Sequence, residues 1–176
     1  KRSYEATQKA GVTLQVGHNR RKQGGNRRVK EMIDKGELGM LHQLEANLSL
    51  PMGQNPKPGW RNDPKEVPTG GLTGLGVHMI DNLQYLAGPV KQVCAFSKKI
   101  LGAGNLDDAL TIILEFESGP LGYFSCSLVL PKICMTAAFG TEANAWADEE
   151  GAKLYFQKKE QQAREELPVE AGDALA

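Results

Sequence analysis

Residues 70–81, GGLTGLGVHMID, carry the strongest pattern in this chain. Their four glycines predict a loop, because glycine tolerates positive φ and lets another backbone or a ligand approach closely. From residue 77 to 86 the pattern is helical, and the Gly-Pro pair at 88–89 ends it. One face of that helix is expected to carry a polar set at spacings i, i+3, i+4 and i+7: His78, Asp81, Asn82 and Tyr85. The stretch therefore predicts a polar floor for a ligand, entered through a glycine loop.

The rest of the chain predicts an α+β domain. A helix is predicted over residues 23–36 and a strand over 40–50, and further strands follow the residue 77–86 helix at 90–98, 109–117, 121–130, 133–139, 143–147 and 153–156. Helices followed by consecutive strands with short turns predict a mainly antiparallel open β-sheet with helices on one face. The pattern leaves the two faces unassigned. The second face would carry Ile113, Tyr123, Ser125 and Ser127, or their alternates.

Composition narrows the classes of partner. The 176 residues hold 21 basic and 21 acidic side chains, a formal net charge of +0, which argues against a nucleic-acid partner. No apolar run reaches the ~18 residues of a membrane span. Cys94, Cys126 and Cys134 lie in apolar runs without metal-ligand spacing, so we expect buried free thiols, a reducing cytoplasmic location and no metal site.

One local cluster of charge departs from this balance. It comprises Arg20, Arg21, Lys22, Arg27, Arg28 and Lys30. Two interpretations remain open: a solvated helix start, or an anion patch for a cofactor phosphate or an acidic substrate.

Several segments, in the same order along the chain, resemble the Gfo/Idh/MocA oxidoreductases, the glucose–fructose oxidoreductase and inositol dehydrogenase group. Besides residues 70–81 they are GHNRR at 17–21, GELG at 36–39, WRND at 60–63, DDA at 107–109, FESG at 116–119 and FGTE at 139–142. The resemblance covers about residues 10–156. It implies the family's C-terminal, dihydrodipicolinate reductase-like domain, which binds substrate and forms dimers and tetramers.

The resemblance also implies roles for individual residues. At the position of His78 the family has a histidine that takes or gives the proton of the substrate hydroxyl. The pocket-wall candidates are Arg20, Trp60, Arg61, Asp81 and Tyr85, and the weak cofactor-side candidates are Asn19 and Arg20. The sequence departs from the family at Gly74, where many members have an aspartate close to the histidine.

Structural interpretations of these residues stay open. His78 would otherwise cap the helix or bond a backbone carbonyl, and Trp60 would anchor the long 51–69 loop. Asn19 and Arg20 would form a solvated turn. Asp81 would either orient His78 or bond a neighbouring strand.

The family's nucleotide-binding fingerprint and Glu-Lys-Pro segment do not occur in this sequence. We therefore expect three parts: residues 1–17 as the remnant of a nucleotide-binding domain, 18–156 as the substrate-binding and oligomerisation domain, and 157–176 as a charged connector or frayed helix. The intact protein would be an NAD- or NADP-dependent oxidoreductase acting on a CH–OH group of a sugar, cyclitol or similar polyol. This chain alone would bind no cofactor and be inactive. The alternatives are a non-catalytic binding or assembly module, a gene remnant, or a family member that cleaves glycosidic bonds with NAD.

Overall fold

The computed structural model describes residues 2–56 and 58–170. Its three α-helices are α1 (Arg2–Ala10), α2 (Gly24–Asp34) and α3 (Val77–Ala87). The strands are β1 (Leu41–Ser49), β2 (Val90–Lys98), β3 (Ala109–Phe116), β4 (Leu121–Ser127), β5 (Ile133–Gly140), β6 (Ala143–Asp148), β7 (Lys153–Lys158) and β8 (Glu165–Leu167). Among the described residues no helix is both long and apolar enough to cross a membrane.

The eight strands form one open sheet in the order β2-β3-β4-β1-β5-β6-β7-β8. Strands β1 and β4 run parallel in its centre, with Gln43 opposite Leu121, and the other neighbours pair antiparallel. The predicted fold class, a mainly antiparallel open sheet with few helices, is confirmed.

The core lies between the sheet and helices α2 and α3. Strand β3 shows why, since its buried residues alternate with more exposed ones, as expected of a sheet covered on one side. Three sets of buried apolar side chains meet there: Leu110, Ile112, Leu114 and Phe116 of β3; Met79, Leu83 and Leu86 of α3; and Val29 and Met32 of α2.

The opposite face of the sheet is open around β2, β3 and β4. The register places Ile113 opposite Tyr123, and both side chains are exposed, at 51% and 40%. Phe96 and Leu121 lie on the same face by their pairing parity and are also exposed. Of the two faces that the sequence could not assign, the open one therefore carries Ile113 and Tyr123, and it is partly apolar.

The glycine run before α3 does not form the expected loop. Residues Leu72–Gly76 form one π-helical turn that runs directly into α3, where a loop was expected, and in the 70–76 stretch only Gly70 has a positive φ. Crowding by side chains explains two glycines here: a Cβ at Gly71 would lie 2.6 Å from Cys126 Sγ, and one at Gly76 would lie 2.7 Å from Leu72 Cδ1 and 2.9 Å from Phe124 Cε1. The glycines therefore allow close packing on β4 rather than a flexible loop.

The two ends of the domain also differ from expectation. Within the described part of residues 157–176, strand β8 adds to the sheet edge with Glu166 opposite Tyr155, where a connector or frayed helix was expected. Near the other end α1 forms, but residues 12–16 form no strand with any described residue. A strand needs a neighbouring strand to pair its backbone hydrogen bonds, and residues 12–16 have none among the described residues. Residues 171–176 lie outside the described part.

The cysteines are free, as predicted, but Cys94 is exposed on the edge strand β2 while Cys126 and Cys134 are buried. Cys94 lies opposite Ile113 on the open face of the sheet, so an apolar run on this edge strand does not guarantee burial.

Candidate functional site

A short segment before α2 is folded against the start of α3. Residues Asn19–Lys22 form a 3₁₀ turn, and the buried amide of Asn26 donates to the backbone carbonyl of Arg20 at 3.0 Å. Asn26 also donates to Gln23 Oε1 at 3.0 Å. The first turn of α2 therefore holds the backbone of residues 18–22 in place beside α3.

This packing assembles a cluster of polar side chains, which we call the α3 cluster. Its members are His18, Arg20, Arg21, His78, Asp81 and Tyr85. The sequence predicted four of them as site residues but not His18 or Arg21. The GHNRR segment pointed to this stretch of chain, but nothing in it indicated which of its side chains would face α3.

The centre of the α3 cluster is the ion pair between Arg21 and Asp81. Arg21 Nε donates to Asp81 Oδ2 at 2.7 Å and Nη2 donates to Oδ1 at 2.5 Å. The guanidinium carbon of Arg21 also lies 5.4 Å from the ring centroid of Tyr85. The carboxylate of Asp81 is mostly buried and already bidentate, so it neutralises Arg21 and makes no hydrogen bond to His78 among the described residues.

His78 lies beside this pair in a partly buried position. Its ring is 6.2 Å from that of His18, edge to face. Burial, followed by the positive charge of Arg20 and the proximity of His18, lowers the pKa of His78 below its usual value of 6.5. Nδ1 is buried and has no hydrogen-bond partner among the described residues. The imidazole is therefore neutral at neutral pH and able to accept a proton.

Arg20 reaches from the α3 cluster to the sheet. Its Nη1 donates to Cys134 Sγ on β5 at 3.0 Å, while its Nε is buried without a partner among the described residues. Cys134 is a contact that the sequence gave no means of finding, since 114 residues separate it from Arg20. Asn19 is exposed and makes no side-chain hydrogen bond with the described residues.

Asn82 does not belong to the polar face on which it was expected. It is fully buried and donates to Thr136 Oγ1 on β5 at 3.0 Å. The spacing i, i+4 brings His78 and Asn82 to neighbouring positions. Because α3 lies flat on the sheet, however, only part of that stripe faces away from it.

Trp60 and Arg61 line a separate cavity of about 700 Å³, which we call the chamber. The chamber lies between the 51–62 loop and the π-helical turn; among its lining residues are Pro51, Met52, Trp60, Arg61, Gly74 and Leu128. Arg61 stacks on the Trp60 ring at 4.3 Å, and the Trp60 side chain is 54% exposed, so it does not serve as a buried anchor for the loop. The predicted pocket residues thus fall into two groups, with Gly74 lining the chamber one helical turn before His78.

The described residues offer little for a metal or for a dinucleotide phosphate. They contain no group of three or more His, Cys, Asp or Glu side chains placed to hold a metal ion. The glycines at 71 and 76 pack against β4 side chains and give no cradle for a pyrophosphate. Of the two cofactor-side candidates, Asn19 is exposed and Arg20 is partly buried.

The comparison with known proteins decides the family. A family model described as the GFO/IDH/MocA C-terminal domain matches residues 26–145. This chain belongs to the Gfo/Idh/MocA family. The resemblance seen in the sequence is confirmed.

Two curated relatives of this Gfo/Idh/MocA domain cover most of it. An uncharacterized oxidoreductase of Bacillus subtilis, YrbE, is 31% identical over 152 residues, 81% of this chain and 42% of its own length. The myo-inositol 2-dehydrogenase of Thermotoga maritima is 32% identical over 155 residues, 84% of this chain and 44% of its own. The chain spans less than half the length of these relatives.

Solved structures of the Gfo/Idh/MocA family share the fold. A Desulfitobacterium hafniense protein, provisionally described as an NADPH-dependent oxidoreductase, superimposes with a TM-score of 0.87 at 31% identity, covering 97% of this chain and 53% of that one. An inositol dehydrogenase homolog from Azotobacter vinelandii, complexed with NAD+, gives a TM-score of 0.80 at 19% identity and covers 98% of this chain and 49% of that one. At that identity the second match shows the fold alone.

Proposed function

We propose that this chain is the substrate-binding half of an NAD(P)-dependent oxidoreductase that acts on a CH–OH group of a sugar, cyclitol or similar polyol. The observation that carries the proposal is His78: a neutral, partly buried imidazole next to Arg20, in a domain of an oxidoreductase family. The polyol class is supported by the named activity of the Thermotoga maritima relative, a myo-inositol 2-dehydrogenase.

The chain's own part in such a reaction is to orient the hydroxyl and to accept its proton. Bound NAD(P)+ would take up the hydride from the carbinol carbon. His78 would receive the hydroxyl proton, since a neutral imidazole is a suitable base near neutral pH. Arg20 would place a positive charge near the developing alkoxide.

His78 would act without a carboxylate partner. Gly74 has no side chain to supply a carboxylate. Both oxygens of Asp81 accept hydrogen bonds from Arg21, whose guanidinium also lies against the ring of Tyr85. In this proposal Asp81 and Tyr85 shape the wall of the site, and the Arg21–Asp81 pair keeps net charge away from the imidazole.

We propose that the cofactor, NAD or NADP, is held by a nucleotide-binding domain of the intact protein and that this chain alone binds it weakly and turns nothing over. The packing of Gly71 and Gly76 against β4 side chains, which leaves no phosphate cradle at these two glycines, supports this. Titration of NADH and NADPH into the 176-residue chain tests it. Binding in the micromolar range would contradict it.

We also propose that the domain assembles with a second copy through the open face of the sheet. Exposed apolar side chains on that face, among them Phe96, Ile113, Leu121 and Tyr123, support this. The free thiols fit a reducing compartment, and the cytoplasm remains the proposed location.

Replacing His78 in the intact enzyme tests the catalytic role. For His78→Gln we expect kcat/KM for polyol oxidation to fall by about 10²-fold or more, with the affinity for NAD(P) unchanged. The measurement is the rate of NAD(P)H formation together with a separate cofactor titration. A loss of less than about threefold in kcat/KM would contradict the assignment.

A further inference from the structure

The chamber has the size of a ligand site, but its lining does not suit a bare polyol. At about 700 Å³ it lies in the range of small-molecule pockets, roughly 300–1,000 Å³. Proline, leucine, methionine and glycine residues make up most of its lining, with one aromatic face from Trp60. A polyol ring displays hydroxyls in every direction, and most of them would lose their water here without gaining a partner.

Two of the polar side chains that line the chamber, Asp108 and Asn62, accept hydrogen bonds from the backbone. Both oxygens of Asp108 accept hydrogen bonds from the backbone N–H groups of Ile100, Leu101 and Gly102, at 2.8–3.0 Å. The side-chain oxygen of Asn62 accepts from the backbone N–H of Asn105 at 3.3 Å. Among the described lining residues this leaves Arg61 as the only cation, and its stacking on Trp60 leaves the guanidinium edge free to donate.

Gly74 lines the chamber, and packing does not explain why this residue is a glycine. Neighbouring glycines at 71 and 76 have a steric reason, but a Cβ built on Gly74 meets no atom within 4 Å. A glycine in a helical turn destabilises it relative to alanine, so packing does not account for this one. Its position in the chamber lining, one turn before His78, indicates that the missing side chain leaves room for part of a ligand.

From these observations we infer that the chamber binds a flat apolar substituent of the substrate and that Arg61 binds an anionic group, most simply a carboxylate, on the same molecule. The substrate class is then an acidic sugar or cyclitol conjugated to an aromatic or similarly flat group. Arg61 suits a carboxylate because its planar guanidinium offers paired donors, and Trp60 offers a ring for stacking. This inference rests on the proposed function, because it takes His78 as the reacting end of the site.

Four simple compounds separate the contribution of the aromatic ring from that of the carboxylate. Phenyl β-D-glucuronide carries ring and carboxylate, phenyl β-D-glucoside the ring alone, D-glucuronate the carboxylate alone, and myo-inositol neither. We expect calorimetric titration of the 176-residue chain to show the phenyl glucuronide binding at least about tenfold tighter than any of the other three, as a charge-assisted contact added to apolar burial would give. Equal affinities, or no binding of the phenyl glucuronide, would overturn the inference.

Two pairs of variants locate the binding. Arg61→Gln should weaken the binding of phenyl glucuronide at least about tenfold and leave the binding of phenyl glucoside unchanged. The matched control is Arg164→Gln, which removes an arginine stacked on Trp146 at 3.7 Å from the ring centroid. This control should change the affinity for neither compound. Gly74→Asp should weaken the glucuronide further than the neutral, equally shaped Gly74→Asn. If Arg61→Gln and Arg164→Gln behave alike, the assignment of Arg61 is wrong.

The outcome is distinguishable from failure of the proposed function. Binding is measured without nicotinamide, so it does not depend on His78 chemistry. Tight binding of the phenyl glucuronide with no effect of His78→Gln on turnover would reject the catalytic proposal and keep the chamber, and the converse would reject the chamber alone.

Discussion

The Arg21–Asp81 pair is where the structure makes its clearest energetic prediction. Arg21→Gln removes both charge-assisted hydrogen bonds and leaves the carboxylate of Asp81, only 13% exposed, with His18 Nε2 at 3.8 Å as its nearest remaining charge partner. Leaving a buried polar group unsatisfied costs about 1–3 kcal/mol. The Arg21 side chain is 45% exposed, so water can partly replace it, and we take the lower end, about 1 kcal/mol.

For a domain of this size that loss corresponds to a fall in Tm of about 2–4 °C. The assay is thermal unfolding at neutral pH and low salt. The matched control is Lys91→Gln, which breaks the exposed ion pair between Lys91 and Glu115 on β2 and β3 and should leave Tm unchanged within error.

The same variant has a local readout at the site. With Arg21 gone, the negative charge of Asp81 is no longer balanced, so the pKa of His78 should rise toward its usual value, as an NMR titration of the imidazole would show. If Arg21→Gln and Lys91→Gln shift Tm equally and the pKa of His78 does not move, the ion pair does not organise the α3 cluster.

Three further predictions follow from burial and exposure. Phe124→Ala, at a fully buried ring that packs on Gly76, should cost about 3–5 kcal/mol in urea unfolding, and a cost below about 1 kcal/mol would contradict the described core. Cys94 should react with iodoacetamide in the native state while Cys126, whose pKa burial raises to about 12, should not; equal labelling measured by mass spectrometry would contradict this. Ile113→Lys should shift the chain to a smaller species in sedimentation velocity without lowering Tm, and an unchanged sedimentation coefficient would contradict assembly through this face.

Much of the fold could be predicted because the strands alternate in a regular way. Strand β2 forms at the expected residues 90–98, and α2 and α3 lie within a few residues of their predicted bounds. Strand β8 could not be found because Glu165–Leu167 is three residues long, and two of them are charged. The parallel pairing of β1 and β4 also depends on long-range contacts that periodicity does not encode.

The site was predicted less completely for reasons of geometry. Helical spacing identifies which residues are neighbours but not which way the helix is turned, so Asn82 was placed on the polar face although it bonds Thr136 in the core. The resemblance placed Trp60 and Arg61 on one pocket wall with Asp81 and Tyr85, yet they line the chamber, whose lining includes neither Asp81 nor Tyr85. The roles of these residues in catalysis remain predictions.

The central claim, that His78 accepts the substrate proton, is tested most directly by the pH dependence of kcat/KM in the intact enzyme. Because burial lowers the pKa of His78, the neutral base persists to pH values below 6.5. We predict that kcat/KM for polyol oxidation rises with pH through an apparent pKa below 6.5 and that this limb is absent in His78→Gln. The same limb in both proteins would contradict the account.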